Sequence, residues 1–339
     1  MEEIKLLQKL TNKEDLTVSE SRMLAERILS EEVPPSVKAA ILTALSMKGE
    51  SVVEIKGFVE VIREKMIKVN LNESAIDTCG NGGDNQNTFN ISTATAIVSA
   101  SCGAAVAKHG NRSVSSKSGS ADVLEALGAK IDLEKPEAEK SFKESSFTFL
   151  FAPLFHPVFK SVGAIRKEIK IRTIFNLLGP LLNPAGVKRQ IIGARSLDAA
   201  EKIANAARLL GFDHVMVVHA ADGIDEISVY DKTHVFEVKK GKIKKYEISA
   251  SEYNLDGKNK NDILVSTIEE SKNKILAVLK GEKGDCRNIV LLNSGAALYI
   301  SGKYKSISDG ISAAEKAIDL GKSLATLNKF IKLSNRNND

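Results

Sequence analysis

The hydrophobic pattern of this chain changes its period near residue 75, and that change constrains the fold more than any other feature of the sequence. Before it, apolar residues recur at helical spacing, and those of one segment are Ile55, Phe58, Val59, Ile62 and Met66. After it, short apolar runs such as 147–151 and 214–219 alternate with helical patterns such as 197–210. We therefore predict an all-helical unit followed by a larger α/β unit.

Local signals refine this division. Capping-box patterns begin at Thr17 and at Ser51, each followed three residues later by a glutamate, and they predict two helix starts. Residues 231–249 have the alternation of an antiparallel insertion in the sheet, with a glycine turn at its centre. Residues 306–333 have the pattern of terminal helices.

The composition excludes several classes of protein. The net charge is +5, from 48 Lys and Arg against 43 Asp and Glu, so nucleic acid is not a required partner. The sequence has no run of about 18 apolar residues, and its start is acidic, so we expect a cytoplasmic protein without a membrane partner. Cys79, Cys102 and Cys286 lack Cys-x-x-Cys spacing, and we expect free thiols.

Three polar segments have the composition of a phosphate-binding site. They are the glycine turn Asp77-Thr-Cys-Gly-Asn-Gly-Gly-Asp84, then Asn90-Ile-Ser-Thr93, then Lys108-His-Gly-Asn-Arg-Ser-Val-Ser-Ser-Lys-Ser-Gly-Ser120. Glycines let backbone N–H groups turn toward an anion. Ser92 and Thr93 stand at the start of an apolar helix, whose free N–H groups face the same anion. Lysine and arginine side chains in the third segment supply cations.

A glycine turn alone is more often a tight βα connection than a ligand site. Here the two further segments favour a ligand. The spacing differs from the Gly-Lys-Ser/Thr ending of the nucleotide P-loop and from the Gly-x-Gly-x-x-Gly dinucleotide pattern. The sequence therefore predicts a phosphate ligand other than ATP or NAD.

An acidic pair, Asp225-Glu226, follows the predicted strand that ends at His219. Loops at the carboxyl ends of parallel strands are where such sheets bind ligands. Two carboxylates suit Mg²⁺, which completes its coordination with substrate phosphates and water. Taken alone, the pair is more typical of a solvated acidic turn, and only the nearby phosphate segments favour the metal.

The segment from Arg166 to Pro184 mixes cations with two prolines inside an apolar stretch. Arg166 or Arg172 could pair with a carboxylate substrate. Surface arginines on a helix are an equally good interpretation. A lone histidine is usually structural, so His156 stays ambiguous, whereas His109 lies inside the phosphate segments.

These motifs, in this order, resemble the anthranilate phosphoribosyltransferase family over essentially the whole chain. The matching segments are Gly80–Asp84, Asn90–Thr93, Lys108–Arg112, Lys117–Asp122, Arg172–Pro180 and Asp225-Glu226. The resemblance implies transfer of the phosphoribosyl group of 5-phosphoribosyl-1-pyrophosphate to the amine of anthranilate, with release of pyrophosphate, in tryptophan biosynthesis. It also implies Mg²⁺ as the cofactor.

The resemblance carries site residues over position by position. The residues implied for phosphoribosyl pyrophosphate are Gly80, Gly83, Asp84, Thr88, Asn90, Ile91, Ser92, Thr93, Lys108, His109, Gly110, Asn111, Arg112, Ser113, Val114, Ser115, Ser116 and Ser120. Those implied for anthranilate are Gly80, His109, Asn111, Arg166 and Gly179, with Arg166 meeting the carboxylate. Those implied for magnesium are Ser92, Asp225 and Glu226.

The resemblance further implies a nucleoside phosphorylase-like fold with a central mixed sheet. Residues 1–70 would form the small helical domain, completed by about 164–186, and residues 71–163 and 187–339 would form the large α/β domain. A homodimer through the helical domain is implied. A pyrimidine-nucleoside phosphorylase of the same fold is the alternative enzyme, and a silent nucleic-acid-binding relative is the alternative outside enzymes.

Two residues depart from the family pattern. Asn81 stands where the turn usually has threonine, and Cys79 precedes the turn. Asparagine is polar and tolerates turn geometry, so we expect activity to be retained. For Cys79 an inert buried thiol is the expected state.

Overall fold

The computed structural model describes residues 2–71, 74–82, 86–113 and 117–336. The chain begins with helices whose bounds are α1 Glu2–Thr11, α2 Val18–Leu29, α3 Pro35–Lys48 and α4 Val52–Lys65. Thr17 and Ser51 cap α2 and α4 in full capping boxes, as the sequence predicts. Leu24, Ile41 and Phe58 are fully buried in the core that these helices share.

Within the described residues, seven strands form one mixed sheet with the order β3-β2-β1-β4-β5-β6-β7. Their bounds are β1 Ile76–Gly80, β2 Val106–Gly110, β3 Phe147–Phe151, β4 Arg189–Gly193, β5 His214–Ala220, β6 Thr233–Lys239 and β7 Lys242–Ile248. The first five strands along the chain pair in parallel, and β6 and β7 add as an antiparallel hairpin. The predicted mixed sheet and antiparallel insertion are therefore confirmed.

Helices connect and cover the strands. The helices between the strands are α5 Ile91–Ser101, α6 Ser120–Ala126, α7 Lys135–Ser145, α8 Ala152–Phe155, α9 Lys160–Ile169, α10 Phe175–Leu178 and α11 Leu197–Leu209. Those after the hairpin are α12 Ile268–Leu279, α13 Asp285–Ser301, α14 Ile307–Asp319 and α15 Lys322–Ser334. Short 3-10 helices lie at Pro157–Phe159, Gly179–Leu182, Ala250–Tyr253 and Lys260–Ile263. In the described part of the chain, none of the helices is long and apolar enough to cross a membrane.

The sheet positions the polar segments at one edge. Strand β1 runs three residues further than the apolar run Ala75–Asp77 suggests, because Thr78 and Cys79 stay in register with β4. The glycine turn therefore leaves the sheet from Gly80, opposite Gly193 at the end of β4. Parallel strands end at the same edge of a sheet, so the segments that follow β1, β2, β4 and β5 converge there.

Candidate functional site

The acidic pair lies directly over the ends of β1 and β4. A Cβ on Gly80 would overlap the carboxylate of Asp225, and a Cβ on Gly193 would overlap the Asp225 main chain. These two positions therefore require glycine because the acidic loop approaches the sheet so closely. On the far side, Asn293 of α13 accepts a hydrogen bond from the Ile227 amide at 3.0 Å and donates one to the Ile227 carbonyl at 2.8 Å.

A cavity that is partly open to solvent lies between the acidic pair and the start of α5. The residues that line it are Thr78, Cys79, Gly80, Ser92, Thr95, Ile191, Gly193, Asp225, Glu226 and Asn293. The structure thus brings together Ser92, Asp225 and Glu226, the three residues expected to bind a metal. Thr95 stands one turn after Ser92 on α5, is 1% exposed, and its hydroxyl has no hydrogen-bond partner in the described ranges.

Asn90 organises the start of α5. Its Oδ1 accepts hydrogen bonds from the Thr93 amide at 3.0 Å and the Ser92 hydroxyl at 3.3 Å, and its Nδ2 donates to the Ser118 carbonyl at 3.0 Å. One side chain therefore caps the helix and ties it to the third polar segment. The Ile91 side chain is buried in the core and its amide donates to the Phe89 carbonyl, so it contributes no polar side chain to the edge.

Lys108 is fully buried beside the same cavity. Its Nζ donates to the Thr78 carbonyl and, at 3.2 Å, to the Ser92 hydroxyl. Burial lowers the pKa of Lys108, and the nearby Asp77 opposes that shift. Burial likewise raises the pKa of Asp77, opposed by Lys108 and by the amide of Asn183, whose Nδ2 donates to Oδ2 at 2.8 Å. This lysine therefore places a hydrogen-bond donor inside the protein, next to the site.

The histidines lie where β2 meets the segment after β3. The rings of His109 and His156 are 5.2 Å apart, and His109 lies against the backbone of Gly179. Burial lowers the pKa of His109 well below its usual value, with a further contribution from His156. Burial also lowers the pKa of His156 to about 4. Both rings are therefore neutral at neutral pH.

An aromatic row connects these histidines to Arg166. His156 stacks on Phe159 at 5.3 Å, Phe159 meets Phe175 edge-on at 5.6 Å, and the Arg166 guanidinium lies 5.2 Å from the Phe175 ring. Burial lowers the pKa of Arg166. Among the described residues, no carboxylate contributes to this shift, so the guanidinium is available to an anionic ligand.

Arg172 approaches the same edge from the neighbouring segment. Its Nη2 donates to the Gly82 carbonyl at 3.1 Å. Burial lowers its pKa, and Arg195 adds to that shift while Asp225 opposes it. Arg172 therefore touches the glycine turn instead of standing on an isolated surface helix.

Other predicted residues lie further from the cavity. The Arg112 guanidinium is half-exposed. It forms ion pairs with Glu125 at 2.8 Å and with Asp122 at 3.1 Å, so it is already paired within the protein. Asn111 is exposed, and its Oδ1 accepts from the Arg112 amide at 2.7 Å. Thr88 pairs with Leu264 in a β-bridge.

The remaining predicted site residues lie in or next to helices and strands, or outside the described residues. The Ser113 amide donates to Asp122, Gly110 ends β2 and Ser120 begins α6. Gly179 begins a 3-10 helix. The predicted residues that lie outside the described residues are Gly83, Asp84, Val114, Ser115 and Ser116.

Cys79 fits the expectation of an inert thiol. Its Sγ lies 3.6 Å from Gln190 Nε2, and burial, with Asp77, raises the pKa of the thiol well above its usual value. A protonated thiol is a poor nucleophile. Asn81 keeps the turn in place, because its amide donates to the Gly193 carbonyl at 2.8 Å and its Oδ1 accepts from the Arg195 amide at 3.3 Å.

Sequence reasoning missed several residues of this edge. Asn293 and Lys260 come from segments that carry no motif, and Thr95 lies on α5 beyond the motif at its start. Phe159 and Phe175 had only their aromatic character and their nearness to Arg166 as a signal. Of these, Thr95 alone had a usable clue, since it lies three residues after Ser92 on the predicted helix.

Comparison with known proteins covers nearly the entire chain. Residues 4–66 match the family described as "Glycosyl transferase family, helical bundle domain", and residues 72–324 match "Glycosyl transferase family, a/b domain". Anthranilate phosphoribosyltransferase of Alkaliphilus metalliredigens is 44% identical over 97% of this chain and 97% of its own length. The enzyme of that name from Aquifex aeolicus is 43% identical over 98% of both.

Solved structures agree with these matches. The crystal structure of anthranilate phosphoribosyltransferase from Thermus thermophilus superposes with a TM-score of 0.91 at 34% identity, covering 97% of this chain and 99% of that one. The Saccharomyces cerevisiae enzyme, in complex with phosphoribosyl pyrophosphate and Mg, superposes with a TM-score of 0.90 at 27% identity, covering 98% and 97%.

Proposed function

Because this chain belongs to the anthranilate phosphoribosyltransferase family of glycosyl transferases, we propose that the edge described above binds both substrates and the metal of that reaction. The enzyme transfers the phosphoribosyl group of 5-phosphoribosyl-1-pyrophosphate to the amine of anthranilate, which gives N-(5-phosphoribosyl)anthranilate and pyrophosphate in tryptophan biosynthesis. The observation that carries the site proposal is the cavity between the acidic pair and the start of α5.

The pyrophosphate group is assigned to the glycine turn and the start of α5. Asn90 caps this helix and leaves its first turn directed at the cavity edge, where backbone N–H groups attract anions. Lys108 adds a buried donor behind Ser92. The anionic substrate would therefore meet fixed donors, which is the arrangement that electrostatic stabilisation of a leaving group requires.

Magnesium is assigned to Ser92, Asp225 and Glu226. Their oxygen atoms suit a hard cation, and these side chains line one cavity. In the described part of the chain, no group of three or more His, Cys, Asp or Glu side chains could hold a metal alone. This agrees with an ion that takes one or two carboxylates from the protein and phosphate oxygens from its substrate. Bound there, the metal would neutralise charge that develops on pyrophosphate.

Anthranilate is assigned to the surface between Arg166 and the two histidines. Its carboxylate would pair with the Arg166 guanidinium, and its ring would lie along Phe159 and Phe175. Neutral His109 adds no charge near the attacking amine. This arrangement suits a flat aromatic anion better than a sugar or a nucleoside.

The residues need not supply a general base. The aromatic amine of anthranilate is already largely neutral and nucleophilic at pH 7, so positioning and electrostatics lower the barrier. The protein would hold the pyrophosphate at the glycine turn, hold the amine through Arg166, and exclude water from the ribose carbon between them. The bond between the ribose carbon and pyrophosphate would then break ahead of bond formation with the amine, through an oxocarbenium-like transition state.

Loss of anthranilate fluorescence tests the reaction and the metal together. We expect the fluorescence to fall only when phosphoribosyl pyrophosphate and Mg²⁺ are both present. Phosphorolysis of a pyrimidine nucleoside or a gel shift with single-stranded nucleic acid, in place of this loss, would contradict the proposal and favour the alternatives.

Arg166→Met tests the anthranilate assignment. We expect the KM for anthranilate to rise about 30-fold, because a charged hydrogen-bonded pair with the carboxylate is lost, whereas the KM for phosphoribosyl pyrophosphate stays within about twofold. Lys167→Met is the matched control, since Lys167 is the exposed neighbour on the same helix. An equal rise in both KM values for Arg166→Met would contradict the assignment.

Domain organisation and assembly complete the proposal. Ile165 and Phe175 pack in the same core as α1–α4, which supports completion of the small domain by about 164–186. Exposed apolar side chains on the adjoining helices α1 and α3, Ile4 and the 81% exposed Met47, support a homodimer through this domain. Light scattering would then give twice the chain mass, and Met47→Glu would lower it. The cytoplasmic location stays a prediction.

A further inference from the structure

The segment that contains Lys260 lies along the residues that follow the glycine turn. Two backbone hydrogen bonds, each 2.8 Å long, run from the Phe89 amide to the Ile263 carbonyl and from the Val265 amide to the Asn87 carbonyl. The 3-10 helix Lys260–Ile263 therefore cannot shift without moving residues 87–89. These residues lead directly into the capped start of α5.

Lys260 itself bridges this region to the acidic loop. Its Nζ donates to Gln86 Oε1 at 3.2 Å and to the Asp222 carbonyl at 2.9 Å, and it lies 3.6 Å from Asp222 Oδ2. Gln86 lies in the segment after the glycine turn, and Asp222 lies three residues before Asp225. One ammonium group therefore contacts both the segment after the glycine turn and the loop that carries the acidic pair.

The two loops touch closely at this point. Gly223 has a φ of +90°, and a Cβ there would lie 2.7 Å from Gln86 Nε2. The Asp222 carboxylate is already used inside its own loop, where it accepts from the Ser228 hydroxyl at 2.7 Å and the Ile224 amide at 3.2 Å. Lys260 thus connects two loops that are each ordered locally, and it does not order the Asp222 loop from within.

We propose that Lys260 is a positioning residue that fixes the distance between the pyrophosphate-binding start of α5 and the carboxylates of Asp225 and Glu226. This inference rests on the proposed function of that site. A metal bridging substrate phosphates and protein carboxylates needs both sets of oxygens at a set separation. Lys260 holds that separation before any substrate arrives.

Hydrogen exchange of the ligand-free enzyme tests this positioning directly. In Lys260→Met, we expect the amides of Phe89 and of residues 223–227 to exchange about tenfold faster, because the two loops open more often. The KM for phosphoribosyl pyrophosphate should rise about tenfold, whereas kcat and the KM for anthranilate stay within about twofold. Lys260→Arg should restore most of both effects, since arginine can donate to the same two oxygens.

Lys274→Met is the matched control. Lys274 Nζ donates to the Asp262 carbonyl, so this change removes a lysine contact from the same segment without touching either loop. Wild-type exchange and kinetics are expected for it. A raised KM with unchanged exchange in Lys260→Met would overturn positioning and assign Lys260 to direct pyrophosphate binding, and no change in either would also overturn it. If the wild-type enzyme transferred nothing, the proposed function would fail, while the exchange experiment would still decide the role of Lys260.

Discussion

Two buried histidines at opposite edges of the sheet differ in their hydrogen bonds. At the amino end of β5, His214 Nε2 lies 2.7 Å from Glu237 Oε1, and the Tyr299 hydroxyl donates to the same oxygen at 3.0 Å. At the carboxyl edge, neither ring nitrogen of His156 makes a well-formed hydrogen bond to a described residue, although the Leu182 backbone lies near. Both side chains are almost fully buried.

The difference shows where polar groups serve stability and where they serve a ligand. A fully paired network strengthens the fold, whereas each unpaired buried group weakens it. The carboxyl edge also holds the Thr95 hydroxyl and the buried Lys108 beside a cavity. We infer that the carboxyl edge gives up stability to keep polar groups ready for substrate, whereas the network around His214 is paired and stabilises the fold.

The largest expected effect is at the acidic pair. Asp225→Asn combined with Glu226→Gln should lower kcat by about 10³-fold and remove the response to Mg²⁺, because removing electrostatic stabilisation of a leaving group costs about that much. Circular dichroism and thermal unfolding should show an intact fold. A variant that kept its dependence on Mg²⁺ would contradict the metal assignment. The acidic pair would then serve the fold and not a ligand, as the polar groups of the opposite edge do.

His156 should make stability depend on pH. Burial lowers its pKa to about 4 from an ordinary 6.5, so the unfolded chain binds this proton more readily. The unfolding free energy should therefore be highest above pH 6.5 and fall, by up to about 3 kcal/mol, as the pH drops toward 4.

The variant His156→Phe should remove that part of the pH dependence. Urea unfolding at pH 7 and at pH 4.5 measures it, and His234→Gln, at a partly exposed histidine on β6, should behave like the wild type. Equal pH slopes for His156→Phe and the wild type would show that His156 is not a destabilising buried group.

Glu237→Gln tests the paired edge. Burial raises the pKa of Glu237, but hydrogen bonds from His214 and Tyr299 outweigh burial and lower the pKa to about 2. Losing this charge should lower the unfolding free energy by about 2 kcal/mol at pH 7, since hydrogen bonds to a charged group are weakened. The stabilisation should disappear as the pH falls from about 4.5 toward 2.

The KM for either substrate should not change in this variant. Glu247→Gln on β7 is the matched control, because its exposed pairs with Lys232 and His234 should contribute less than about 0.5 kcal/mol. A change in KM with no change in stability would mean that the opposite edge serves catalysis, which would reverse the comparison.

The sequence predicted those parts of the fold and site that depend on local spacing. The capping of α2 and α4 depends on residues three apart, and the pair Asp225-Glu226 follows a strand, so each can be recognised from a short segment. The strand alternation likewise predicted an α/β sheet, and the family resemblance implied that the sheet is mixed.

Long-range partners could not be predicted in this way. Asn293 reaches Ile227 from 66 residues away, and Lys260 reaches Gln86 from 174 residues away. No local pattern encodes such contacts, because they depend on how helices and loops pack after the sheet has formed. Arg112 illustrates the same limit, since its place in a phosphate motif does not predict Glu125, which pairs with its guanidinium here.

The smallest expected effect separates the two edges most finely. Thr95→Val keeps the shape of the side chain and removes an unpaired hydroxyl, so the unfolding free energy should stay equal or rise by up to about 1 kcal/mol. If that hydroxyl supports ligand binding in the cavity, the Mg²⁺ concentration for half-maximal activity should rise about threefold, because one weak polar contact is lost. Thr148→Val is the matched control, because Thr148 on β3 also has a fully buried hydroxyl without a partner in the described ranges. It should gain the same stability with no change in the Mg²⁺ response. Identical Mg²⁺ responses in both variants would mean that the unpaired hydroxyl at the cavity is only a packing defect. Its cost in stability would then have no counterpart in ligand binding.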